Sequence, residues 1–227
     1  MTLTQIGDFT AYVATPAGTP KAAIIVIQEI FGVNAGIRQK CDRWAQAGYV
    51  AIAPDLFWRM KPAIDLDPDV EAELNEAFGY FQRFVAEEGS LHAIIDLEAT
   101  IKWARAQGFR KVGCVGYCLG GLLAYLSACR TDIDASVGYY GVSINERIGE
   151  SHNIAHPLML HIPTADGFVG PEAQAAMHAG LGAHPRVTLH DYAGLDHGFA
   201  AEMGKRRNET GAQLADARTA AFFDENL

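Results

Sequence analysis

The chain has 227 residues, 49% of them hydrophobic, and a formal charge of −9 at pH 7. That size and apolar content suit a single α/β domain over 1–227 with a substantial core. The negative balance argues against nucleic acid or an anionic membrane as a partner. No apolar run reaches the ~18 residues a spanning helix needs, and the first residues lack the basic-then-apolar pattern of a signal peptide. Four cysteines in a chain this long do not make a disulfide framework. A cytoplasmic protein with reduced thiols is therefore expected.

In chain order, residues 9–14 read as an antiparallel strand, half of a hairpin. Residues 22–28 are a continuous apolar run, as in a central parallel strand buried on both faces. A helix over 38–47 is closed by Gly48, and a strand over 49–53 is stopped by Pro54. Residues 57–89 depart from this rhythm. They open with Pro62, Asp65, Asp67 and Pro68, then become an acidic helix carrying Phe78, Tyr80, Phe81 and Phe84. The segment reads either as an excursion over the carboxyl edge of the sheet, where open α/β folds bind ligands, or as a peripheral helix. Residues 91–107 place Ile94, Leu97, Ile101 and Ala104 at helical spacing, and Gly108 ends that helix. Further strands are predicted at 111–115, 135–140, 158–162 and 187–190, with helices from Leu122, over 171–179 and over 213–225. Strands separated by helices imply an α/β fold with a mostly parallel, doubly wound sheet flanked by helices.

The stretch from Gly116 to Gly121, Gly-Tyr-Cys-Leu-Gly-Gly, lies between a predicted strand and a predicted helix. This is the pattern of a nucleophile elbow, with Cys118 in place of the usual serine. A free thiol near pKa 8.5 is only a few per cent ionised at neutral pH, so it needs a base. His197 follows the last predicted strand and Asp166 follows the strand before it. Cys118, Asp166 and His197 thus occur in the chain order of α/β-hydrolases, and Asp166 would hold His197 in the tautomer that accepts the thiol proton. Asp191 and Asp196 are weaker alternatives to Asp166: the first is too close to the strand before His197, and the second adjoins His197. Cys41, Cys114 and Cys129 read as small apolar filler. His161 and His190 lie within strands and read as core or edge residues. No Cys-x-x-Cys or His-Glu-x-x-His spacing occurs, so neither a metal nor a cofactor is expected.

The loop Gln28-Glu29-Ile30-Phe31-Gly32 follows the first central strand. In this architecture that loop supplies one backbone N–H to the oxyanion hole, so Ile30 and Leu119 are the expected donors. Phe78, Phe81, Tyr117, Gly198 and Phe199 are the expected substrate contacts.

At this point the chain resembles the dienelactone hydrolase family. The resemblance is carried by Gln28-Glu29-Ile30-Phe31-Gly32-Val33-Asn34, by Tyr49-Val50-Ala51-Ile52-Ala53-Pro54-Asp55-Leu56, by the elbow, by Gly138-Tyr139-Tyr140-Gly141 and by His197-Gly198-Phe199. It implies an α/β-hydrolase fold without a cap domain, a triad of Cys118, Asp166 and His197, and a glutamate, Glu29, contacting the thiol. The implied chemistry is hydrolysis of a lactone ester through an acyl-enzyme. Proton affinities limit the role of Glu29. An ordinary glutamate faces a transfer from a thiol about 4 pKa units uphill, near 6 kcal/mol, against under ~3 kcal/mol for histidine. Glu29 is thus a poor base unless perturbed, and its charge would hold the enzyme in a resting thiol state. The pattern departs from the family at the two arginines that bind the substrate carboxylate, where this chain has Leu74 and Ala201. Arg59, Arg83, Arg206 and Arg207 are the cations left to replace them. The expected substrate is therefore a small ester or lactone, and a neutral one is favoured. The alternatives are a broad carboxylesterase or thioesterase, and a catalytically idle scaffold used for binding.

Overall fold

The computed structural model describes residues 2–227. By their contacts they group into two compact units. One runs to Gly113 and takes in Glu202–Lys205, and the other comprises Cys114–Ala201 with Arg206–Leu227.

The first unit carries strands β1 (Thr2–Ile6), β2 (Phe9–Ala14), β3 (Ala23–Ile27) and β4 (Val50–Pro54), in the spatial order β1-β2-β4-β3. β1 and β2 form the expected hairpin, with Ile6 opposite Phe9, around a turn that puts Gly7 at φ 57°. β1 itself is not evident from its sequence, because Thr-Leu-Thr-Gln-Ile is short and mostly polar. β3 and β4 pair in parallel, Ile25 opposite Ile52, and every residue of both is buried. That burial explains their unbroken apolar runs. Pro54 closes β4 as its last residue instead of lying beyond it. Helix α1 (Ala35–Gln46) starts at Asn34, whose side chain accepts the Ile37 N–H, and packs on β4 and β3. The irregular segment after β4 leads into α2 (Glu71–Ala86), followed by α3 (Gly89–Ala106). Residues 202–205 are held to α1 by a buried ion pair, Glu202 with Lys40 at 3.1 Å, and Arg43 adds a second contact at 2.8 Å.

Strand β5 (Val112–Tyr117) leads into the second unit. There β6 (Ala135–Tyr139), β7 (Leu158–Pro163) and β8 (Val187–Tyr192) follow in spatial order, with β6–β7 and β7–β8 parallel. Helices α4 (Leu119–Arg130), α5 (Pro171–Leu181) and α6 (Glu209–Asn226) accompany them. A 3-10 segment over Ile144–Asn153, mostly polar, lies where the sequence suggested no element. α4 is buried from Leu119 to Cys129, on every face, so its sequence reads as continuous and apolar instead of striped. α6 is tied to the strands by a buried polar chain. His161 on β7 hydrogen-bonds with Tyr192 Oη (2.7 Å) and Thr219 Oγ1 (2.9 Å), and Thr219 bonds with Tyr139 Oη (2.6 Å). His161 is thus a satisfied core histidine. Among the described residues no helix is long and apolar enough to cross a membrane.

Candidate active site

Cys118 ends β5 and caps α4 with φ 56° and ψ −115°, a conformation that non-glycine residues rarely adopt and that costs about 1–3 kcal/mol. Two glycines allow the turn. A Cβ on Gly116 would lie 1.9 Å from the Gly120 carbonyl oxygen, and one on Gly121 would lie 2.7 Å from Tyr139 O and from Gly141 Cα. The turn at Cys118 therefore touches the β6 end, and Cys118 N–H donates to Tyr139 O at 3.1 Å. Leu119 opens α4, so its N–H has no acceptor within the helix, and the positive end of the helix dipole lies beside the thiol.

Asp166 follows β7 and is 6% exposed. Its Oδ1 accepts the N–H groups of Phe168 (2.8 Å) and Val169 (3.1 Å), which fixes the carboxylate. His197 follows β8, is also 6% exposed, and places Nδ1 at 3.1 and 3.0 Å from the two Asp166 oxygens. The imidazole also hydrogen-bonds with Cys118. Burial acts to lower its pKa, but Cys118 and the Asp166 hydrogen bond act the other way. The net effect pushes His197 up to about 10. This arrangement favours the charged form of the imidazole.

The two other candidate carboxylates have different partners. Asp191 pairs with His178 Nε2 at 2.9 Å. Asp196 accepts the backbone N–H groups of His197 (2.7 Å) and Gly167 (2.9 Å), whereas the imidazole itself bonds with Asp166 and Cys118. Tyr117 and Phe199, expected as substrate contacts, are 2% and 1% exposed. They belong to a buried aromatic cluster: Tyr117 lies 4.8 Å from Tyr139, and Phe199 lies 4.8 Å from Tyr192. Gly198 is buried at φ 78°. Two residues flanking the imidazole escaped the sequence reading. Tyr140 and Phe168 meet His197 edge-on, with centroids 4.9 and 4.8 Å away, and Phe168 is 51% exposed. The signals for them were the Gly-Tyr-Tyr-Gly motif and the aromatic two residues after Asp166.

In the first unit the loop after β3 is strapped by residues 64–66. Leu66 N–H donates to Phe31 O (3.1 Å), and Asn34 Nδ2 donates to Leu66 O (3.0 Å). A Cβ on Gly32 would lie 2.0 Å from Ile64 O. The loop begins where Gln28 Oε1 accepts Leu56 N–H at 3.1 Å. Glu29 is half-buried and Ile30 is buried. On α2, Leu74, Phe78 and Phe81 are half-buried. The four arginines left as carboxylate binders all have partners in the protein. Arg59 is held by Asp96 and lies over Trp58, Arg83 pairs with Glu87, and Arg207 pairs with Glu209 and Ala201 O. Arg206 lies 3.6 Å from Asp196 and over the Phe168 ring. No group of three or more His, Cys, Asp or Glu side chains suited to a metal occurs among the described residues.

The model of the "Dienelactone hydrolase family" matches residues 9–227. A carboxymethylenebutenolidase of Pseudomonas putida is 38% identical over 217 residues, covering 95% of this chain and 90% of its own. An Azospirillum brasilense protein, provisionally named a carboxymethylenebutenolidase, is 40% identical over 228 residues, covering 97% and 95%. A crystal structure from Klebsiella pneumoniae, provisionally described as a dienelactone hydrolase, superposes with a TM-score of 0.84 at 27% identity, covering 98% and 97%. The fold is that of the α/β-hydrolases, with a mostly parallel sheet flanked by helices. The chain belongs to the dienelactone hydrolase family and is a carboxylic ester hydrolase.

Proposed function

We propose that the chain hydrolyses a small carboxylic ester or lactone with Cys118 as nucleophile, through a thioester. The observation that carries this reading is the position of His197, bonded through Nδ1 to buried Asp166 and also to the Cys118 thiol. The thiol proton passes to His197, and the thiolate attacks the ester carbonyl carbon. The carbonyl π electrons move onto oxygen, and the N–H of Leu119 at the start of α4 stabilises the resulting oxyanion. The carbonyl re-forms as the C–O bond breaks, and the departing oxygen takes the proton from His197. Water, deprotonated by His197, then attacks the thioester. The C–S bond breaks, the acid leaves and the Cys118 thiol is regenerated.

The substrate reading is a neutral ester or lactone. It is supported by Leu74 and Ala201 and by the carboxylate partners of Arg59, Arg83, Arg206 and Arg207. A substrate carboxylate held by two charge-assisted hydrogen bonds would gain about 1.5–3 kcal/mol from each. The test is turnover of a panel of aryl esters, neutral lactones and carboxylated dienelactones by wild type, Cys118→Ala and Cys118→Ser. Turnover abolished in Cys118→Ala, with kcat/KM for neutral substrates at least equal to that for carboxylated ones, is the expected result. Full activity in Cys118→Ala would overturn the nucleophile, and a strong preference for the carboxylated lactone would overturn the substrate reading.

A further inference from the structure

The loops that carry Asp166 and His197 are joined by a ladder of contacts that continues past the ends of β7 and β8. Thr164 N–H donates to Tyr192 O at 3.0 Å, and Thr164 Oγ1 accepts Gly194 N–H at 2.9 Å. Ala165 N–H donates to Leu195 O at 2.9 Å. The next rung is made by a side chain. Asp196 Oδ1 accepts Gly167 N–H at 2.9 Å and His197 N–H at 2.7 Å. One oxygen therefore holds the residue after Asp166 and the backbone of His197 together, and the last rung is the Asp166–His197 pair itself.

The geometry points to Asp196 as a positioning residue that sets the distance between the acid and the base of the triad. This inference rests on the reading of Cys118, Asp166 and His197 as the reacting set. The hydrogen bonds that Asp196 accepts come from backbone N–H groups. Both N–H groups belong to loops beyond the strands, where no neighbouring strand can satisfy them. Without Asp196 the acid loop loses its tie to the base loop one residue from the Asp166 carboxylate. The second carboxylate oxygen faces Arg206 Nη1 at 3.6 Å, and both side chains are about half exposed. That ion pair is screened and contributes little. The function of Asp196 lies in its acceptor oxygen more than in its charge, so an uncharged acceptor should replace it.

The experiment compares Asp196→Ala with Asp196→Asn, using the aryl ester the wild type turns over best, at a temperature well below both melting points. Misplacing a reacting group by about an ångström can cost ~10²-fold. Asp196→Ala is therefore expected to lower kcat by about 10–100-fold with KM within about 3-fold, and Asp196→Asn to stay within about 3-fold of wild type. A second readout needs no substrate: the downfield proton resonance of His197 Nδ1–H, which reports the bond to Asp166. It should weaken or vanish in Asp196→Ala and persist in Asp196→Asn. Wild-type kcat and an intact resonance in Asp196→Ala would overturn the inference. An equal loss in the two variants would also overturn it, since charge would then be the cause. Undiminished turnover by Cys118→Ala would instead refute the triad reading, and the resonance would still decide the role of Asp196.

Discussion

His197 meets burial, which lowers its pKa, and the neighbouring Cys118 and Asp166, which raise it. Its pKa of about 10 lies above the ~6.5 of a free histidine. The sign of the linkage follows. The stability contributed by the charged imidazole is complete below about pH 6.5 and is lost as pH rises through about 10. Cys118→Ala removes the largest influence raising that value, so an NMR titration of the imidazole should show a lower midpoint than in wild type. An unchanged midpoint would rule out Cys118 as the cause of the raised value. Asp166→Asn keeps the volume but presents an amide to Nδ1, which permits the wrong tautomer. A loss of about 10²–10⁴-fold in kcat is expected, with little change in KM, measurable by steady-state kinetics. Asp166, rather than Asp191 or Asp196, was legible from topology alone, because it follows the penultimate strand. The work of Asp196 was not, since its partners are backbone N–H groups from two loops 29 residues apart.

At the scale of elements, the elbow is a strand–helix junction with no room for side chains. Gly116→Ala would drive a Cβ to within 1.9 Å of Gly120 O, at the first turn of α4. Because backbone must move, the cost should reach or exceed the ~1–3 kcal/mol typical of overpacking, read by urea denaturation. A second element-level prediction concerns residues 202–205. Glu202 is almost wholly buried against Lys40, with Arg43 as a second partner. Lys40→Met breaks this buried ion pair, and an unfolding free energy about 3–5 kcal/mol lower is expected, measured by urea denaturation. The sequence indicated α1 through its spacing and the stop at Gly48. It could not indicate that a glutamate some 160 residues later would be buried against the helix, since two charged residues far apart carry no periodic signal.

For the whole molecule, the four thiols divide by environment. Cys41 and Cys114 are fully buried and Cys129 is largely so. Burial raises all three, with Cys114 pushed up to about 12 and Cys129 to about 11. Cys118 alone is partly exposed and beside a cationic imidazole. One rapidly alkylated thiol per native chain is expected at neutral pH, rising to four after denaturation. Iodoacetamide labelling followed by mass spectrometry measures both. More than one fast thiol in the native protein would contradict this division.

The sequence by itself determined the alternation of strands and helices, the elbow and the order of Cys118, Asp166 and His197. Those features are local: buried strands write continuous apolar runs, tight turns demand glycine, and post-strand loops fall at predictable places. It did not reveal β1, whose residues are too polar and too few, or the 3-10 segment, which is short and mostly polar. Nor could it tell that Tyr117 and Phe199 turn into the core while Phe168 stays exposed against His197. Only the tertiary structure decided those matters, because a side chain's burial and a carboxylate's partner depend on which distant loops meet. That is also why Asp196, beside His197 in the chain, holds the loops together, and Asp166, 31 residues away, holds the ring.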